Sequence, residues 1–246
     1  MSNIMLCTEK LEVGGAETAL ITQALAMRKK GHNVVVLAQD GIYTDLLKNK
    51  EIVVINFEFV PQNGINLQKT KEIIEIIEKY NIDQVHIHKF FCIQYVWLAC
   101  IIKNIPYISY NHTLTDQDYT WFKNTYPFYK YFLNTYYLNA ARIVLVTERS
   151  LENSLRRFPD VPLEKYVIVP NCIDFEQYNT KNKVKNINKF LLISRLAEGK
   201  MPSIKNGIDL FVRYVDMSKD NNLELDILGD GSCYNEVYEY VKNEKN

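Results

Sequence analysis

The chain has 246 residues, 47% hydrophobic and 24% charged, a globular composition that excludes wholesale disorder. Its 29 Lys and Arg balance its 29 Asp and Glu, which argues against a dedicated nucleic-acid binder. No apolar run approaches the ~18–20 residues of a membrane span.

The start, Met1 to Cys7, reads as a strand rather than a charged leader with an apolar stretch and a cleavage site, so the chain is expected in the cytoplasm. Glu17 to Lys30 is helical, with Leu20, Ile21, Ala24 and Leu25 on one face. Arg28, Lys29 and Lys30 suit its last turn and Gly31 its stop. Asn33 to Ala38 is a continuous apolar strand of the kind buried on both faces of a parallel sheet, and Glu51 to Ile55 is another. Asn66 to Tyr80 is an amphipathic helix, Asp83 to His88 a strand and Phe91 to Lys103 a helix. Pro106 to Tyr110 is a strand that starts on its proline. After an aromatic helical region come Arg142 to Val146 (strand), Glu148 to Arg157 (helix) and Tyr166 to Val169 (strand). A polar, lysine-rich stretch follows, and then Phe190 to Ser194 (strand), Ser203 to Ser218 (helix), Leu223 to Leu228 (strand) and Cys233 to Lys242 (helix).

This alternation predicts an α/β chain with parallel strands and right-handed crossovers. Residues 1–178 form a complete N-terminal Rossmann-like domain, 179–188 a linker, and 189–246 part of a second Rossmann-like domain. Two strands cannot bury both faces of a sheet, so Leu191, Leu192, Ile193, Leu225, Ile227 and Leu228 are expected to lack partners. The five cysteines form no C-x-x-C pair and are expected as reduced thiols in small apolar sites.

Five constellations carry chemistry. Gly14-Gly15-Ala16-Glu17 lies between the first strand and first helix, where glycines and a helix N-terminus suit an anionic or oxygen-rich group, or form only a tight turn. It is not the G-x-G-x-x-G dinucleotide fingerprint. His86 and His88 alternate on one strand and share a face, so they are a substrate-facing pair, structural histidines, or, least supported, a metal pair. His112 ends the next strand and can donate to a sugar hydroxyl or phosphate oxygen or carry a proton, or is only a surface loop histidine. Arg195 ends the first strand of the second domain and Lys200 lies five positions on, where two cations suit a diphosphate, or are only solvated surface. Gly229-Asp230-Gly231 precedes the last helix and can receive phosphate or ribose, or forms only a βα turn.

In this order the motifs resemble glycosyltransferase family 4. Gly14-Gly15-Ala16-Glu17 and Lys30-Gly31-His32 are similar to the family's opening turn and first helix end. Val85-His86-Ile87-His88, His112, Pro170-Asn171-Cys172-Ile173-Asp174, Ser194-Arg195-Leu196 with Lys200, and Gly229-Asp230-Gly231 are similar to its later signatures, with Cys172 where a glycine is usual. The resemblance implies a GT-B fold and transfer of a sugar from a nucleotide-sugar donor to a polysaccharide or glycolipid acceptor, with retention and no cofactor or required metal. It implies that Arg195, Lys200, Gly14 and Gly15 serve the donor diphosphate, and Gly229, Asp230 and Gly231 the nucleotide. By the same resemblance His112 is catalytic, and Glu17, His86, His88 and Asn171 line the cleft and acceptor side. The acidic Glu pair that follows in the family is absent, so the chain is expected to be truncated in its donor-binding domain and inactive alone.

Two other readings stand beside this one: a non-catalytic acceptor-binding subunit that pairs with a donor-binding chain, and a nucleotide-sugar epimerase of GT-B architecture. Tyr119 to Tyr137, dense in aromatics with Lys123 and Lys130, reads either as core helix and cleft lid or as an interfacial helix at the inner membrane face, where lipid-linked acceptors reside.

Overall fold

The apolar runs and helical periods fold into parallel strands joined by helices. The computed structural model describes residues 1–59, 64–112, 123–172, 188–219 and 222–244. Contacts divide the chain into two units, Met1–Tyr178 and Asn179–Asn246.

The first unit carries strands β1 (Asn3–Lys10), β2 (Asn33–Gln39), β3 (Val53–Asn56), β4 (Gln84–Ile87), β5 (Tyr107–Asn111), β6 (Arg142–Leu145) and β7 (Tyr166–Ile168). They form one seven-stranded sheet in the order β3-β2-β1-β4-β5-β6-β7. Every pairing is parallel. The order reverses between β1 and β4, and ligands of open α/β sheets bind outside the strand ends at such a point.

Helices α1 (Gly15–Lys29) and α2 (Thr44–Lys48) pack on one face with Ile4, Leu6, Val34 and Val36. Helices α3 (Leu67–Lys79), α4 (Ile93–Lys103), α5 (Pro127–Asn139) and α6 (Glu148–Arg157) pack on the other with Val85, Ile87, Tyr107, Ile143 and Leu145. Right-handed crossovers impose this split, because the chain moves one way from β1 to β3 and the other way from β4 to β7.

Local chemistry sets the helix ends. The Asn66 side chain accepts the Lys69 N–H at 3.0 Å to start α3, and Thr147 Oγ1 accepts the Ser150 N–H at 3.1 Å to start α6. Gly31 stops α1 with φ +87°, a left-handed conformation that glycine adopts without strain.

Several boundaries differ from the sequence reading. β1 runs on to Lys10 through a register shift after Cys7. The strand expected from Glu51 begins at Val53, because Glu51 takes φ +57°. The short helix α2 escaped notice: its one turn is held by Thr44 Oγ1, which accepts the Gly41 N–H at 3.0 Å.

Within the aromatic segment, Phe132, Tyr136 and Tyr137 are core residues, so these rings are not presented to a bilayer. Residues 119–122 lie outside the described residues, as do 179–187 of the expected linker. Cys7, Cys92 and Cys100 are buried free thiols as expected, but Cys172 is exposed and Cys233 half-buried.

The second unit pairs β8 (Lys189–Ile193) with β9 (Glu224–Leu228) in parallel and adds α7 (Met201–Ser218) and α8 (Tyr234–Glu244). Leu192, Leu225 and Ile227 pack with Leu196, Ile204, Ile208 and Val237, which corrects the expectation that all six strand residues lack partners. The alternation of a strand explains the remainder: Leu191, Ile193 and Leu228 point to the opposite face and are 58–69% exposed. Among the described residues no helix is long and apolar enough to cross a membrane.

Candidate functional site

β1, β4 and β5 bring the predicted residues of the first unit together at the point where strand order reverses. Val85 and Ile87 of β4 enter the core on the α3–α4 side, so His86 between them faces α1. There Gln23 of α1 donates from Nε2 to His86 Nδ1 at 3.1 Å and to Tyr110 Oη at 2.5 Å. Two residues on, His88 Nδ1 lies 2.9 Å from His112 Nε2.

The rings stack. His88 and Tyr110 are 4.2 Å apart at 8°, His86 and Tyr110 5.4 Å apart at 25°, and His88 and His112 5.2 Å apart at 24°. His86 and His88 are each only 3% exposed. His86 is tied into the protein by Gln23, while His88 reaches the strand end and meets His112.

Burial governs the charge of this cluster. Desolvation lowers His86 to about 4. Desolvation also lowers His112 to about 4, with nearby Lys89 adding to the effect and Glu17 opposing it. His88 is pushed well below the ordinary histidine range by burial first, then by His112 and His86. All three rings are neutral near pH 7. His88 Nε2 and His112 Nδ1 have no hydrogen-bond partner among the described residues.

Two pockets share the wall formed by His88, Tyr110, Asn111 and His112. One, of about 260 Å³, is also bordered by Glu9, Lys89 and Tyr137. The other, of about 210 Å³, is bordered by Ala19, Gln23, Val146, Asn171 and Cys172. Asn171 thus reaches the same wall as His112. Ile173 and Asp174 of its motif lie outside the described residues.

The glycine turn has divided duties. A Cβ on Gly14 would sit 2.2 Å from the Glu17 carboxylate, so Gly14 leaves room for that side chain. Glu17 in turn pairs with Lys89 at 3.0 Å. A Cβ on Gly15 would meet nothing within 4 Å, which leaves this turn open.

Sequence reasoning missed Gln23, Tyr110, Glu9 and Lys89. Lys89 directly follows the histidine pair and could have been flagged. Gln23 carries no local signal, because only the packing of α1 onto β4 and β5 brings it to the rings. The Glu9 carboxyl is raised above its usual value by desolvation, with Lys89 partly opposing this.

In the second unit the strand ends of β8 and β9 meet. Leu196 N–H donates to the Asp230 carbonyl at 2.9 Å, and Cys233 N–H to the Leu196 carbonyl at 2.9 Å. This clamps the Arg195 segment against Gly229-Asp230-Gly231. A Cβ on Gly229 would fall 1.9 Å from the Ser194 carbonyl oxygen, and Gly231 has φ +148°, so backbone contact requires both glycines. Arg195 and Asp230 are exposed at this end, and Lys200, also exposed, closes the turn that opens α7. Asp230 Oδ1 accepts the Gly231 N–H at 2.7 Å. Among the described residues no three His, Cys, Asp or Glu side chains gather as a metal set.

The sequence profile described as Glycosyltransferase Family 4 matches residues 13–177. No curated protein sequence matches the chain. Among solved structures, Anabaena HepE in complex with UDP-glucose is 18% identical with a TM-score of 0.72, the match covering 100% of this chain and 66% of that one. A glycosyltransferase from Rickettsia africae is 18% identical with a TM-score of 0.69, covering 99% and 65%. A Listeria monocytogenes protein taken to be a UDP-N-acetylglucosamine 2-epimerase is 16% identical with a TM-score of 0.58, covering 99% and 66%. The chain thus spans about two-thirds of the length of these structures, and the likeness establishes their α/β fold for it.

Proposed function

The chain belongs to glycosyltransferase family 4, and on that premise we propose that it acts in transfer of a sugar from a nucleotide-sugar donor to a saccharide acceptor, free or lipid-linked. The observation that carries this reading is the neutral cluster of His88, Tyr110 and His112, buried at the strand ends where sheet order reverses and opening onto two pockets. Uncharged rings with unpaired nitrogens suit the hydroxyl and phosphoryl oxygens of a sugar nucleotide.

In this reading Arg195 and Lys200 hold the donor diphosphate and offset the charge that grows on it as the sugar departs. The exposed turn Gly229-Asp230-Gly231 receives the nucleoside. Gly15 lets the donor approach the first turn of α1, whose N-terminus favours negative charge. His112 borders the transferred sugar, and Asn171 the acceptor. No metal or cofactor is invoked.

The test titrates the chain with a panel of UDP-, GDP- and ADP-sugars and follows products in the presence of saccharide acceptors. The reading predicts binding of at least one sugar nucleotide and weaker binding in Arg195→Ala. Transfer to an acceptor supports the transferase, whereas inversion of the sugar on its own nucleotide supports an epimerase. No binding to any member of the panel overturns both.

A further inference from the structure

The five thiols differ sharply in access. Cys7, Cys92 and Cys100 are buried, and desolvation raises each of them above the ordinary thiol range. Cys233, just before α8 in the second unit, is half-buried. Only Cys172 is exposed. A thiol reacts as its thiolate and only where a reagent reaches it, so access singles out Cys172.

Cys172 also borders the pocket of about 210 Å³ that reaches His88 and His112. The chain arrives there from β7, where the Val169 N–H donates to the Leu145 carbonyl at 2.8 Å and so carries Pro170 to Cys172 past the end of β6. Ala19, Ala26, Val144, Val146 and Val169 give the pocket apolar walls. His88 lines it too, is 3% exposed, and its Nε2 has no partner among the described residues. A buried polar atom left unpaired is costly, and a ligand atom that meets it recovers part of that cost. The pocket therefore has an exposed thiol at its rim and an unpaired, enclosed nitrogen at its wall.

We propose that Cys172 is a covalent modification site at this rim, which takes up an uncharged alkyl or aryl thiol by exchange with the corresponding small disulfide and thereby keeps other ligands from His88 and His112. The apolar walls select an uncharged group. In the exchange the Cys172 thiolate attacks one sulfur of the disulfide, and the new S–S bond forms as the old one breaks. The departing sulfur leaves with the electron pair and takes up the proton that Cys172 lost. Cys172 is oxidised to the mixed disulfide, and the departing half is reduced to a free thiol. A second thiol reverses the step by the same route. The site stands apart from the transferase reading, because it needs no sugar nucleotide.

The probe is dithiodipyridine, an uncharged aryl disulfide whose released pyridinethione is followed by absorbance. The native chain should release about one equivalent in a fast phase. That phase should vanish in Cys172→Ser, and dithiothreitol should remove the label. In the 15N-histidine-labelled protein, modification should shift the side-chain signals of His88 and His112 and leave His32, at the end of α1, in place. A fast phase that persists in Cys172→Ser, or a modified chain whose His88 and His112 signals stay unmoved, overturns the proposal. If Cys172→Ser does not fold, mass mapping of the labelled wild-type peptide decides: label on Cys172 supports the site, and label on Cys233 alone overturns it. A modified Cys172 that shifts both histidines in a chain that binds no sugar nucleotide retires the transferase reading alone. Sugar-nucleotide binding in a chain whose Cys172 does not react retires the modification site alone.

Discussion

In the first unit the ends of β4 and β5 hold three histidines that are neutral and enclosed, whereas in the second unit the end of β8 shows Arg195 and Lys200 to solvent. The glycines differ in parallel. Gly229 and Gly231 are required by backbone contact with Ser194 and Leu196, while Gly15 has open space where a side chain would go. A helix meets part of the buried cluster's hydrogen-bonding need, through Gln23 of α1 at His86 and Tyr110, while His88 Nε2 and His112 Nδ1 are left without partners among the described residues. An exposed cationic end needs only a rigid support, which the clamped glycine turn supplies.

The largest effect is expected from the support. Gly229→Ala drives a Cβ into the Ser194 carbonyl and should destabilise the second unit by more than ~3 kcal/mol, within the range reserved for severe strain. Hydrogen exchange read separately for β8–β9 and for β1–β7 tests this: loss of protection confined to the second unit is expected, and unchanged protection contradicts it.

Acid comes next. The His86 ring stays neutral down to about pH 4 in the folded chain, while an unfolded histidine takes up its proton near 6.5. Stability from this site is therefore full above about pH 6.5 and falls as pH drops toward 4, by up to ~3 kcal/mol. Urea unfolding at about pH 7 and about pH 4.5 should show a smaller acid loss in His86→Leu than in wild type. Equal losses would show that His86 is not the source.

Arg195→Ala is expected to leave stability within about 0.5 kcal/mol, as for an exposed side chain, yet to weaken binding of a nucleoside diphosphate roughly tenfold or more, the worth of one charge-assisted hydrogen bond. A variant that binds as well as wild type removes Arg195 from the site. Tyr110→Phe keeps the ring against His88 and loses only the Gln23 bond, for about 1 kcal/mol. Gly15→Ala closes the series at under ~0.5 kcal/mol, and a larger loss would reveal a close approach at that turn.

Much of the fold was legible because apolar strands such as Val34–Leu37 and helical stops such as Gly31 are written locally. Helix α2 was not, since five residues between a turn and a strand carry no period. The histidines were legible as motif positions, but their meaning was not. Alternation along β4 could say that His86 and His88 share a face. Only the packing of α1 and the pairing of β4 with β5 could say that Gln23 and Tyr110 would enclose them. The exposure of one face of β8–β9 and the cover on the other follow from alternation plus the placement of α7 and α8 on a single side, which no single segment encodes.

The most direct test of the site is to add a sugar nucleotide to the 15N-histidine-labelled chain and follow its four histidines, beginning with UDP-glucose and continuing through the GDP- and ADP-sugars. With the one that binds, the account predicts that signals of His112 and His88 shift together while His32, at the end of α1, stays in place. Binding that leaves His112 and His88 unmoved, or shifts His32 alone, would contradict it.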